Sequence, residues 1–69
     1  MSRVASTPLA QWRERRRLTQ EELAALCGIK RSTLSSVENG HVRAWPKLRR
    51  RSAEVLGVPE LELFPEAAE

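Results

Sequence analysis

The stretch "LTQEELAALCGIKRSTLSSVENG", residues 18–40, sets the reading of the whole chain. Thr19 stands three residues before Glu22, the pattern in which a threonine hydroxyl and a glutamate carboxylate cap each other's backbone N–H groups at a helix start. A helix therefore opens at about Gln20, with Leu23, Ala24, Leu26 and Cys27 on its apolar face. Gly28 breaks it where a left-handed residue is expected. Only Ile29 and Lys30 separate that glycine from a second segment, Arg31 to Glu38, which Asn39-Gly40 terminates. Leu34 and Val37 turn inward, leaving two cations and five hydroxyl or amide side chains across residues 30–39.

Two short helices joined by a tight glycine-containing turn form a helix-turn-helix, here spanning residues 20–38. Upstream, Thr7-Pro8 offers an N-cap followed by a proline at the first helical position. Leu9 and Trp12 mark a buried stripe, and the charged run Arg13, Glu14, Arg15, Arg16, Arg17 ends that helix near Arg16. Downstream, Pro46 opens a helix to about Leu56 with Leu48, Ser52, Val55 and Leu56 on one face. Val58, Leu61, Leu63 and Phe64 supply a last short helix opening at Pro59. The expected fold is all-α: one domain over residues 1–69, a bundle of about five short helices with its core in residues 8–64 and a frayed tail at 65–69.

A chain of 69 residues sits near the lower limit for a fold held by one hydrophobic core. Its single cysteine excludes an internal disulfide, and one Cys with one His cannot complete a tetrahedral zinc site. No metal and no cofactor is expected. No apolar run approaches the ~20 residues that cross a bilayer, and no export leader is evident, so a cytoplasmic setting without membrane contact is expected. Charge is unevenly placed. Residues 1–51 hold all 12 Lys and Arg against four Glu, a net +8, while residues 52–69 hold five Glu and no base, a net −5. A basic body suits a polyanionic partner, although arginine also serves simply to solubilise a small helical domain.

With "WRERRRL" before it and "EVLGV" after it, the 18–40 stretch resembles the core of the Cro/C1-type, or XRE, family of DNA-binding regulators. The resemblance rests on Gln20, Glu22-Leu23-Ala24, Gly28, Ile29, the Leu34 and Val37 pair, and Glu38-Asn39-Gly40, and covers about residues 9–64. It implies a lambda repressor-like bundle whose third helix lies in the major groove of double-stranded DNA. Physical chemistry agrees, since the major groove admits one helix, arginine bonds bidentately to guanine O6 and N7, and serine addresses several bases.

By motif position, Arg31, Ser32, Ser36 and, less centrally, Ser35 are expected to read bases. Gln20, Lys30, Asn39, His41 and Arg43 are expected to meet phosphate, Gln20 from the N-terminus of its helix and the last three from the loop after the recognition helix. Arg13 and Glu38 occupy positions that pair as a partly buried structural ion pair in many relatives. Two departures stand out. Arg17 replaces a usual glycine, so the first connection must avoid a left-handed residue or accept strain, and Lys30 replaces the usual Ser or Thr cap unless Ser32 serves. Trp12 reads as core, Trp45 as either packing or surface, and Cys27 as a small apolar site.

Catalysis is not expected from a chain with one His, no Asp and no Gly-rich phosphate loop. The expected function is a transcriptional regulator, most simply a repressor binding a palindromic operator as a homodimer through Leu61, Leu63 and Phe64. The alternative is a protein-interaction module of the same fold, such as the antitoxin partner of a toxin.

Overall fold

Thr7 Oγ1 accepts the N–H of Ala10 at 3.4 Å and Pro8 takes the first helical position, so the first element begins where its cap chemistry dictates. The computed structural model describes residues 7–68; the part of the one-domain expectation that falls on residues 1–6 and 69 lies outside them. Five helices follow in order: α1 Pro8–Arg15, α2 Gln20–Cys27, α3 Arg31–Glu38, α4 Pro46–Leu56 and α5 Glu60–Leu63. The bundle is all-α as expected, with no strand among the described residues. Nor is any described helix long and apolar enough to cross a membrane.

Every helix contributes to one core, made of Leu9, Leu23, Ala24, Leu34, Val37, Ala44, Leu48, Leu56, Leu63 and Phe64. Ser52 is buried among these residues without penalty, because its hydroxyl donates to the Leu48 carbonyl at 2.7 Å one turn back in α4. Two expectations are corrected here. Leu63 and Phe64 are 1% and 3% exposed, because α5 folds its apolar side onto α1 and α4; both belong to the monomer core and are unavailable to a dimer. Leu26 is 47% exposed, since the inward face of α2 is filled by Leu23 and Ala24. Residues Pro65–Ala68 close one 3₁₀ turn, with Ala67 N–H donating to Phe64 O at 2.9 Å.

The ends of α1, α2 and α3 share one closure. In each, a residue in the left-handed region donates back into the last turn and the next residue's N–H reaches one position further. At α2 these are Gly28 to Ala25 O, 3.2 Å, and Ile29 to Ala24 O, 3.0 Å; at α3, Gly40 to Val37 O, 3.1 Å, and His41 to Ser36 O, 2.9 Å. At α1 the same pair runs from Arg17 to Glu14 O, 2.9 Å, and Leu18 to Arg13 O, 3.1 Å. Arg17 therefore holds φ 59° without being glycine, alone in this among the described residues. The connection accepts strain, on the order of 1–2 kcal/mol.

Candidate nucleic-acid interface

α2 and α3 meet at their N-terminal ends through side chains. Thr19 and Glu22 form the reciprocal box, Glu22 N–H to Thr19 Oγ1 at 3.0 Å and Thr19 N–H to Glu22 Oε1 at 2.8 Å, which fixes the first turn of α2. Gln20 then sits at its start, half-buried, with Nε2 donating to Glu38 Oε1 at 2.9 Å and Oε1 accepting from Arg31 Nη1 at 3.2 Å. Arg31 is exposed at the first position of α3. The start of α3 has no side-chain cap: Lys30 occupies the N-cap position and Ser32 does not replace it.

A helix turns about 100° per residue, so Arg31, Ser35, Ser32 and Ser36 fall within an arc of about 140°, away from Leu34 and Val37, which are buried. Within that arc Arg31 and Ser32 are exposed and Ser35 and Ser36 half-buried. Asn39, His41 and Arg43 are all exposed in the loop after α3. Asn39 Nδ2 lies 3.5 Å from Ser35 Oγ, a long contact that links the loop to the same arc.

Glu38 is 4% exposed at the far end of α3 and binds Arg13 of α1 by two contacts, Nε to Oε2 at 2.7 Å and Nη2 to Oε1 at 3.3 Å. Arg13 also donates from Nη1 to the Leu18 carbonyl at 2.6 Å, so one buried guanidinium ties α1, the first turn and α3 together. Paired and hydrogen-bonded, each charge tolerates its burial.

The remaining cations divide into two groups. Arg15 and Arg16 lie 4.9 and 5.2 Å from the ring centre of half-buried Trp12, and Arg16 Nε donates to the Leu56 carbonyl at 2.9 Å. Arg49 donates to the Ala44 carbonyl at 2.9 Å and faces Glu60 at 3.7 Å, and Arg51 bonds the Leu26 carbonyl and Glu54. These arginines brace the bundle. Among the described residues Arg17, Lys30, Arg43, Lys47 and Arg50 are exposed, and their side chains make no hydrogen bond or ion pair. Two of them, Lys30 and Arg43, are phosphate candidates from the sequence; Arg17 escaped sequence reasoning, although a cation at a position suited to glycine was a visible signal.

Gln20 is a weaker phosphate candidate than its motif position implies. Its amide is engaged at both ends, and exposed Glu21 and Glu22 in the same turn oppose a phosphate there. Trp45, the residue before α4, is 37% exposed, so most of its surface is covered while part of it reaches solvent. Cys27 is half-buried; burial pushes its thiol up from the ordinary range and the Arg51 guanidinium partly offsets this, so it stays a protonated packing group at neutral pH.

The helix-turn-helix family matches residues 9–63. Among solved structures, the chain is similar to the restriction-modification controller protein C.AhdI from Aeromonas hydrophila. The identity is 33%, the overlap covers 83% of this chain and 86% of that one, and the TM-score is 0.77. No curated protein matches the sequence.

Proposed function

The chain belongs to the Cro/C1-type helix-turn-helix family of DNA-binding transcription regulators, and we propose that it acts by laying α3 in the major groove of a palindromic operator as a homodimer. The carrying observation is the convergence of Arg31, Ser32, Ser35 and Ser36 on one arc of α3 beside the start of α2. Arg31 addresses guanine, and a good bidentate pair contributes ~1–3 kcal/mol of discrimination. Lys30 and Arg43 flank the arc and neutralise phosphates, joined by Arg17 at the turn before α2. Arg13 and Glu38 stay inside and hold the helices in register.

One such module, acting as a single domain, reads a half-site, and a second copy one helical turn away, ~34 Å, doubles the sequence read. Leu61, 55% exposed on α5, is our two-fold contact in place of Leu63 and Phe64. Leu61→Lys is expected to shift light-scattering mass toward monomer while leaving the fold intact. A bound dimer excludes polymerase from an overlapping promoter, so repression is the simplest outcome; the work is binding, not catalysis, in a bacterial or phage cytoplasm. Likeness to a restriction-modification controller favours a regulator over the antitoxin reading.

Selection from random duplexes at ~150 mM salt tests this assignment. A palindrome should be enriched, and Arg31→Ala should relax one base pair per half-site. Enrichment of no sequence, with uniform weakening in the variant, overturns base reading.

A further inference from the structure

Lys47, Arg50, Arg51 and Glu54 recur along α4 at the spacing that keeps side chains on one stripe of a helix. The stripe faces the C-terminal end of α2, and together with Cys27 it lines a groove of about 260 Å³. No residue of α3 or of the loop after it lines this groove, which is therefore separate from the arc assigned to DNA. Its volume falls just under the ~300 Å³ at which pockets for drug-sized ligands begin, which suits a compact guest.

The charges in the groove do not balance. Arg51 donates from Nε to the Leu26 carbonyl at 3.1 Å and from Nη1 to Glu54 at 3.3 Å, so one cation and the only carboxylate of the groove are already engaged. Lys47 and Arg50 remain, exposed, their side chains without a hydrogen bond or ion pair among the described residues. The Cys27 thiol, kept protonated by burial against the pull of the Arg51 guanidinium, adds no negative charge. Three like charges within about one turn of a helix repel one another, and no group of the groove offsets Lys47 and Arg50. The recognition face does not account for them either, since neither residue belongs to it.

We propose that the groove between α2 and α4 binds a small polyphosphate anion, independently of the DNA-reading assignment above. Arg50 offers a planar fork of N–H donors to phosphoryl oxygens, and Lys47 a mobile ammonium. Arg51, already fixed by Leu26 and Glu54, adds positive charge without having to be ordered. Glu54, at the other end of the stripe, repels the anion and confines it to the side of Lys47. A chain of two or three phosphates carries enough charge to satisfy both free cations at once, which a single carboxylate does not.

The test titrates the full chain with sodium tripolyphosphate at ~50 mM salt, where screening is weak, and follows it by calorimetry and backbone amide NMR shifts. The proteins are wild type, Lys47→Gln/Arg50→Gln and Arg17→Gln/Arg43→Gln. The two double variants lose the same charge from different faces; all four positions are exposed, and thermal melts confirm folding. Wild type should bind one anion, with shifts concentrated at residues 26–28 and 47–54. Lys47→Gln/Arg50→Gln should weaken binding about tenfold, and Arg17→Gln/Arg43→Gln no more than about twofold. Equal weakening in the two variants, or shifts spread over both faces, means general attraction of an anion to a basic protein and overturns the proposal, as does an absence of binding by wild type. A loss of about two phosphate contacts from the salt dependence of operator binding in Lys47→Gln/Arg50→Gln assigns the groove to the DNA backbone and overturns it too.

Discussion

The two turns that flank α2 use the same backbone solution with opposite defects. Between α1 and α2, the incoming cap is complete, with Thr19 and Glu22 satisfying each other, but the left-handed position before it is Arg17 at φ 59°. Between α2 and α3, the left-handed position is Gly28 at φ 75°, while the helix that follows starts at Lys30 with no side-chain cap. Each turn obeys the local rule at one end and breaks it at the other. Both offending residues are exposed cations without a partner among the described residues, on turns that lead into the face assigned to DNA. The contrast teaches that positive charge is placed here at the expense of local stability, and that the buried Arg13–Glu38 pair compensates by tying the first turn to both ends of α3.

The largest way to break the comparison is to remove that shared tie. Glu38→Ala leaves Arg13 buried and unpaired and is expected to cost ~3–5 kcal/mol, seen as a large drop in the urea midpoint or loss of the folded state. Next is Gly28→Ala, which separates backbone from space. No atom lies within 4 Å of a Cβ built there, so any loss is conformational, about 1 kcal/mol in chemical denaturation. Arg17→Gly is the mirror experiment and should raise stability by roughly 1 kcal/mol while lowering the salt dependence of DNA binding by about one phosphate contact. The smallest effect is Lys30→Ser, expected to add ~0.5–1 kcal/mol by capping α3 and to weaken DNA binding evenly across sequences. If Arg17→Gly and Lys30→Ser stabilise without touching DNA affinity, the comparison survives as a statement about folding alone.

Helix positions were legible because each is set by local chemistry. The capping box at Thr19, the prolines at 8 and 46, and the glycines at 28, 40 and 57 placed the boundaries of α1 to α4 within a residue. Arg31 and the serines were grouped by their positions in the motif that the chain resembles, and helical spacing puts them on one arc. What stayed hidden depends on tertiary packing. Leu61, Leu63 and Phe64 look alike in sequence, and only the angle at which α5 meets α1 and α4 decides that two are core and one is surface. The contacts of Gln20 with Glu38 and Arg31 span 18 and 11 residues, and the sorting of arginines into braces and free cations follows from carbonyls such as those of Leu56 and Ala44 that no side-chain pattern exposes.

The central claim is that Arg31 touches a guanine. The most direct test replaces that guanine in the selected operator by 7-deazaguanine, which removes the N7 acceptor, and measures binding of wild type and Arg31→Ala to both duplexes. Wild type should lose about tenfold in affinity, and Arg31→Ala should show no further loss on the altered duplex. Equal losses in the two proteins would mean that another group reads that base, and would contradict the account.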